Sequence, residues 1–321
     1  MSTSLIKTLV HQIRREAEGV VSVELRPAGN DASLPRFSAG AHIDLHLPNG
    51  ITRSYSLCND QNESHRYVVA VANDRSSRGG SSYINNNLLP GTELTISPPR
   101  NNFRLNEAAE SFVLVAGGIG VTPLYSMLRR LVELEKQVTF IYCARSRKEA
   151  AFAPEIAALV RGKVEVLWHF DDEVGSTPAL EKLLANRDSQ GHLYCCGPSP
   201  MLDSFLLRCG ELGYLNAAIE RFAATHTNEP GASRAFQLEL RRSGKTLDVP
   251  EGKTVLRVML DAGVDVDFGC EEGVCGACET RVFEGDIDHR DDLLSKEEKA
   301  SNKTMLICVS GCKSERLVLD L

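Results

Sequence analysis

The chain has 321 residues, 42% hydrophobic and 25% charged, ordinary values for a soluble globular protein with two or three separately cored domains. A net charge of -7 argues against non-specific nucleic-acid binding, no apolar run reaches membrane-spanning length, and the opening Met-Ser-Thr-Ser-Leu-Ile-Lys does not read as a cleavable leader. The expectation is a cytoplasmic protein with neither a nucleic-acid nor a membrane partner, its ten cysteines reduced or ligating metal rather than forming disulfides.

Residues 4 to about 103 read as strands. Val20 to Leu25 and His42 to Leu47 alternate, Arg66 to Ala72 and Thr92 to Ile96 are short apolar runs, and Pro, Gly and Asn punctuate them. Many short strands with turn signals predict an antiparallel barrel or sandwich. Within them, Arg53-Ser54-Tyr55-Ser56-Leu57 offers a cation, an aromatic face and hydroxyl donors from one strand, the groups that a planar flavin and its phosphate need. A surface strand is the alternative reading of that pentapeptide alone. Arg78-Gly79-Gly80-Ser81-Ser82-Tyr83 predicts a short helix running through Asn87, whose first N–H groups and hydroxyls suit an anion; a solvated turn is its alternative.

After Phe103 the pattern changes. Phe112 to Ala116 is a continuous apolar run suited to a buried parallel strand, Gly117-Gly118-Ile119-Gly120-Val121-Thr122-Pro123 turns, and Leu124 to Leu134 has helical period. Glycines there let a pyrophosphate approach the backbone at a helix N-terminus, and Pro123 fits a first helical turn. The turn lacks the Gly-x-Gly-x-x-Gly spacing and so does not indicate the Rossmann subtype. Strand Val138 to Tyr142, helix Pro154 to Val160, strand Val164 to Phe170 and helix Pro178 to Ala185 follow. His192 to Cys196 is then a strand turning at Gly197-Pro198, before a helix over Met201 to Leu212. This alternation predicts a doubly wound parallel α/β sheet with Gly120 and Cys196-Gly197 at its ligand-binding edge, and Cys195 as a packing residue.

Residues 223 to 234 have linker composition. From Phe236, strands over Gln237 to Arg241 and Thr246 to Val249, a helix over Val255 to Asp261 and a cysteine-rich loop predict a compact α+β unit. The loop reads Cys270-Glu-Glu-Gly-Val-Cys275-Gly-Ala-Cys278, answered by Cys308. Cys-x4-Cys-x2-Cys with a distant fourth cysteine is the spacing of a plant-type 2Fe-2S cluster, and Gly273, Gly276 and Ala277 let the backbone close on it. Free thiols and a zinc site are the alternatives, although zinc ribbons favour two Cys-x2-Cys hooks.

Taken in order, these motifs resemble the phthalate dioxygenase reductase family over essentially the whole chain, together with Glu220-Arg221-Phe222 and Asp288-His289-Arg290-Asp291. The resemblance implies an FMN-binding antiparallel β-barrel at 1–103, an NAD(P)H-binding doubly wound α/β domain at 104–224, a linker at 225–234 and a β-grasp 2Fe-2S ferredoxin domain at 235–321. It places Arg53, Ser54, Tyr55, Ser56, Ala70 and Val71 around the flavin and Gly79, Gly80, Ser81 and Ser82 around its phosphate. Gly117, Gly118, Gly120, Pro123, Arg145, Gly197 and Pro198 fall to the nicotinamide dinucleotide. Thr122 would sit at the flavin–nicotinamide junction, Cys196 near the nicotinamide ring and Phe222 over the flavin face. Cys270, Cys275, Cys278 and Cys308 would hold the cluster, and Cys312 would be a bystander thiol.

The implied activity is that of an oxygenase reductase component: electrons from NADH pass through FMN and a 2Fe-2S cluster to a terminal, Rieske-type oxygenase. Glu271, Glu272 and Asp267 are candidates for docking that partner. One departure concerns the nucleotide. Arg145-Ser146-Arg147-Lys148 has Ser146 where NADH-using relatives often have an acid, so NADPH is the alternative to NADH. A stand-alone ferric or quinone reductase, and a non-catalytic redox sensor or cluster carrier, are the other function classes.

Overall fold

The computed structural model describes residues 5–29, 33–74, 77–160, 163–225 and 234–321. In the first sheet, strands β1 (Ile6–Ala17), β2 (Val20–Pro27), β3 (His42–His46), β4 (Thr52–Ser56), β5 (Tyr67–Ala72) and β6 (Glu93–Ile96) pair antiparallel in the order β4-β3-β6-β1-β2-β5. Helix α1 (Gly80–Asn86) lies between β5 and β6 in the chain. A bridge between Leu57 and Val69 joins the end of β4 to β5 and closes the sheet into the expected barrel. Alternate residues point inward, so that Val23, Leu25, Ile43, Leu45 and Ile96 share its core. Alternation does not disclose β1, because register shifts between Val10 and Gln12 and between Arg15 and Ala17 break its period of two.

The second sheet alternates strands and helices: β7 (Ser111–Gly117), α2 (Val121–Glu133), β8 (Gln137–Ala144), α3 (Ala153–Leu159), β9 (Val164–Phe170), α4 (Asp171–Val174), α5 (Leu180–Leu183), β10 (His192–Cys196), α6 (Ser199–Glu211) and β11 (Ala217–Glu220). The strands are parallel in the order β11-β10-β7-β8-β9, so the direction of winding reverses between β7 and β10. Both faces are covered, which is why β7 reads as an unbroken apolar run. Leu114 and Ala116 pack with Leu124 and Leu128 of α2, while Val113 and Val115 pack with Leu202 and Phe205 of α6. Helix α5 is shorter than the Pro178 to Ala185 expectation. Only Leu180 and Leu184 of that stretch are buried against the sheet, and Asn186, at φ 58°, takes the left-handed conformation that terminates helices.

By compactness the chain forms two units, Ser4–Arg221 and Phe222–Leu321. Within the first, barrel and parallel sheet share a core in which Val20, Ala39, Ala70 and Phe103 meet Leu124, Met127 and Leu128. At the same seam the Ser126 hydroxyl donates to the Asn59 carbonyl at 2.9 Å. Of the expected linker at 225–234, residues 226–233 lie outside the described residues.

The second unit contains β12 (Phe236–Leu240), β13 (Lys245–Val249), α7 (Val255–Asp261), β14 (Glu279–Glu284), β15 (Ile287–Asp288), α8 (Lys296–Ser301), β16 (Thr304–Leu306), β17 (Gly311–Cys312) and β18 (Arg316–Leu319). Its five-stranded sheet has the order β13-β12-β18-β14-β16 with β12 and β18 parallel, and β15 and β17 form a separate ribbon. Helix α7 is capped by the Thr254 hydroxyl, which accepts the Arg257 N–H at 3.1 Å, and lays Leu256 and Met259 into the core. This is the expected α+β unit of the β-grasp kind. Among the described residues no helix is long and apolar enough to cross a membrane.

A shared core ties the stability of barrel and sheet together. Leu128→Ala, at a fully buried position, is expected to cost about 2–5 kcal/mol. In urea, the fluorescence of Trp168 and the amide protection of Val23 should be lost together; well-separated transitions would contradict the shared core.

Candidate functional site

The four cysteines predicted to ligate iron are all buried, none more than 6% exposed. The loop between α7 and β14 winds through left-handed conformations at Glu271, Gly273 and Gly276. Gly273 is required there for two reasons: its φ is +73°, and a Cβ would lie 2.7 Å from Val309 Cγ2. The Asp292 N–H donates to the Gly273 carbonyl at 3.1 Å, while Asp291 accepts the N–H groups of Leu293 and Leu294, so the segment after Asp288-His289-Arg290 braces the loop.

The sulfurs form two pairs. The neighbouring Cys275 thiol, and then burial, push Cys270 well above the ordinary thiol range, and Cys278 with burial does the same to Cys308. Backbone N–H groups favour the opposite state: Cys270 N–H reaches Cys275 Sγ and Glu272 N–H reaches Cys270 Sγ, each at 3.3 Å. Four buried sulfurs in pairs, with amides directed at them, need a cationic centre if they are to be thiolates. Two irons taking two sulfurs each fit the pairing. Cys312 lies on β17, its thiol 3.0 Å from the Ser314 hydroxyl and donating to the Arg316 carbonyl at 3.6 Å.

In the barrel, Arg53 extends beside Gly80: a Cβ on that glycine would sit 2.7 Å from Arg53 Cγ. The guanidinium donates to the Thr52 carbonyl at 2.7 Å. At the start of α1 the Ser77 hydroxyl oxygen collects three donors, the Gly79 N–H at 3.1 Å, the Ser82 N–H at 3.3 Å and the Ser81 hydroxyl at 2.8 Å. Three donors thus converge on one oxygen, beside the arginine. Tyr55 is partly buried against the barrel core, and burial raises its phenol to about 12. The Ser54 side chain is committed elsewhere, donating to Asp44 Oδ1 at 2.6 Å in a pair that Arg100 completes at 2.7 Å. Ala70 and Val71 send their side chains into different cores, so β5 offers a ligand its backbone rather than a surface.

At the edge of the parallel sheet the two glycine turns touch. A Cβ on Gly120 would meet the Cys196 carbonyl oxygen at 2.1 Å, and one on Gly117 would meet Pro198 Cδ at 2.8 Å. The Thr122 hydroxyl donates to the Ile119 carbonyl at 3.1 Å, and Pro123 lies in the first turn of α2. Cys196 is fully buried; burial, then Glu220 and Cys195, raise its thiol far above the ordinary range, so it is neutral. Glu220 is its partner across the ladder, and Ser56 of β4's end donates to Glu220 Oε2 at 3.3 Å. Burial pushes the Glu220 carboxyl up to about 8 although the Ser56 hydroxyl pulls it down. Arg145 is exposed just after β8. Phe222 opens the second unit and is 40% exposed.

Profiles of known families match two regions: residues 238–313 match the 2Fe-2S iron-sulfur cluster binding domain, and residues 114–206 the oxidoreductase NAD-binding domain. Tetrachlorobenzoquinone reductase of Sphingobium chlorophenolicum is 45% identical over 99% of this chain and 98% of its own length. The solved phthalate dioxygenase reductase, described as a modular structure for electron transfer from pyridine nucleotides to [2Fe-2S], is 36% identical, covers 99% of this chain and 98% of its own, and superposes with a TM-score of 0.73. The chain belongs to the phthalate dioxygenase reductase family. Like other members of that family it is an oxidoreductase with a nicotinamide-binding and a 2Fe-2S domain. An intact type IV self-sufficient cytochrome P450 monooxygenase matches 99% of this chain at 34% identity and a TM-score of 0.87. This reductase chain spans 41% of that longer one.

Two residues escape sequence reasoning. Ser77 precedes the quoted motif, and the one signal for it is a hydroxyl residue two positions before Gly79, the residue that caps α1. Glu220 stands inside the quoted Glu-Arg-Phe; an acid ending the short apolar strand Ala217 to Ile219 was the available cue.

Two outcomes follow. Cys312→Ser should keep its iron and acid-labile sulfide, while Cys308→Ser should lose most of both. For Glu220, between pH 4.5 and about 8 the native protein holds a proton that the unfolded chain releases, so this group's contribution to stability falls as pH rises through that window. In Glu220→Gln that slope disappears, and urea midpoints measured at pH 5 and pH 8.5 should fall less than in the parent protein.

Proposed function

We propose that this chain is the reductase component of an oxygenase system, taking electrons from NADH and delivering them singly through FMN and a 2Fe-2S cluster to a terminal oxygenase, Rieske-type in the first instance. The observation that supports this reading is the coexistence, in one chain, of hydroxyl and amide donors gathered beside Arg53 at α1, two touching glycine turns at the ends of β7 and β10, and four paired sulfurs after α7. When bound, the flavin accepts a hydride as two electrons and the cluster accepts electrons one at a time.

The chain's own residues supply position and surroundings. Arg53, the amides of Gly79 and Ser82 and the hydroxyl of Ser81 would hold the flavin's phosphate, which favours the mononucleotide because the cradle is built for a terminal anion. Tyr55 would border the ring. Gly118 and Gly120 would admit the pyrophosphate, Thr122 and Cys196 would lie along the hydride path, and Phe222 would cover the flavin face when nicotinamide is absent. Burial holds the Cys196 thiol and the Glu220 carboxyl toward their neutral forms, which weakens any carboxylate charge opposing a hydride there. Cys270, Cys275, Cys278 and Cys308 would hold the cluster, with the exposed Glu271 beside it available to a cationic partner surface.

The 45% identity to a tetrachlorobenzoquinone reductase favours a second reading, in which a small quinone is the acceptor. A quinone can take both electrons directly from a reduced flavin, so that activity does not require the four-cysteine loop. Cys275→Ser separates the two. If the cluster is the exit, the variant should bleach its flavin with NADH at close to the parent rate while delivery to cytochrome c or an added oxygenase falls at least about tenfold. Quinone turnover undiminished in the variant, together with inactivity of the parent toward every oxygenase partner encoded beside it, would move the assignment to quinone reduction.

A further inference from the structure

The cation run after β8 has an acidic counterpart 26 positions away. Arg147 donates through Nε and Nη2 to Glu173 Oε1 and Oε2 at 3.0 and 3.1 Å, and its guanidinium lies 4.5 Å from the centroid of the buried Phe170 ring. The two groups meet because β8 and β9 are paired up to Ala144 and Phe170, and because the Asp172 N–H donates to the Arg145 carbonyl at 3.0 Å. This is the C-terminal edge of the strand following the glycine turn, where a doubly wound sheet receives the adenosine ribose of a dinucleotide.

An arginine held fork to fork by a carboxylate and stacked on an aromatic ring has its best phosphate-binding donors committed. Ser146 carries no charge. Arg145, which pairs with no carboxylate among the described residues, shares the edge with the acidic turn Asp171-Asp172-Glu173. The cations that look along the sequence like a phosphate grip therefore face a compensating set of acids in space, and a 2'-phosphate would enter a balanced or acidic surface.

We propose that Glu173 is the specificity-determining residue for the nucleotide: by engaging Arg147 it withholds a second guanidinium from a 2'-phosphate and supplies the acid that residue 146 lacks, so that the chain selects NADH over NADPH. This rests on the reading of the β7–β8 edge as the dinucleotide site. Because Glu173 is half exposed, replacing it removes a surface pair and leaves the core intact.

The holoprotein is titrated calorimetrically with 5'-ADP and with 2',5'-ADP, and kcat/KM is measured for NADH and NADPH. Glu173→Gln should raise the affinity for 2',5'-ADP relative to 5'-ADP by about tenfold and shift the kcat/KM ratio toward NADPH by a similar factor, as expected for one freed guanidinium–phosphate contact. Glu173→Asp should retain most of the parent's preference, and adding Arg147→Gln to Glu173→Gln should cancel the gain. Unchanged ratios in Glu173→Gln would overturn the role of Glu173 while leaving the dinucleotide site standing. Failure of both nucleotides to bind either protein would remove the site itself, and the proposal with it.

Discussion

Burying four sulfurs is the constraint around which the C-terminal unit is built. An uncompensated thiolate in a protein interior is too costly to form, and the pairing of Cys270 with Cys275 and of Cys278 with Cys308 multiplies that cost. The unit answers it in two ways. Cys278 and Cys308 are set by the sheet, one just before β14 and the other just after β16, with the Glu279–Leu306 and Thr280–Met305 pairings fixing their separation. Cys270 and Cys275 are set by a loop whose left-handed residues turn N–H groups inward, and whose Gly273 leaves room for Val309 and the Asp291 backbone. The Asp292 N–H donates to the Gly273 carbonyl and fixes the loop's turn, and paired sulfurs suit two irons.

A different principle governs the hydride side of the molecule. The barrel and the parallel sheet share a core, so the end of β4 and the edges of β10 and β11 are placed by packing rather than by flexible connections. Into that seam the fold puts a hydroxyl, a thiol and a carboxyl, and burial keeps the thiol and carboxyl protonated at neutral pH. In the proposed function, such a site would face a nicotinamide without presenting a fixed charge to the transferring hydride. An ionised aspartate in place of Glu220 would set a negative charge in that space and oppose the hydride.

Much of this was legible in the sequence because the relevant signals are local. The cysteine spacing, the unbroken apolar run of β7, the glycine turn before Pro123 and the helix over Val255 to Asp261 each depend on a few consecutive residues. What stayed hidden depends on partners brought from elsewhere or on irregularity. The bulges of β1 erase its alternation although it is central to the barrel, and α5 keeps one turn of the eight-residue pattern because only two leucines find the core. Ser77 was silent because a serine before a glycine is common, and its meaning comes only from three donors turning onto its oxygen. Ser54 alternates in the same strand as Arg53 and Tyr55, yet Asp44, from another strand of the barrel and itself paired with Arg100, takes its hydroxyl proton.

The same distinction separates charge counted along a chain from charge that a ligand meets. Arg145, Arg147 and Lys148 lie within four positions, a density that in an isolated peptide would attract phosphate. Parallel pairing of β8 with β9 brings the turn that follows Phe170 alongside, and that turn begins with three acids. The Arg147 guanidinium lies 4.5 Å from the Phe170 centroid, and its fork meets the carboxylate of Glu173. If Glu173 has the proposed role, nucleotide preference at this edge is a property of two adjacent strands acting together, the acid coming from the segment after β9 rather than from position 146.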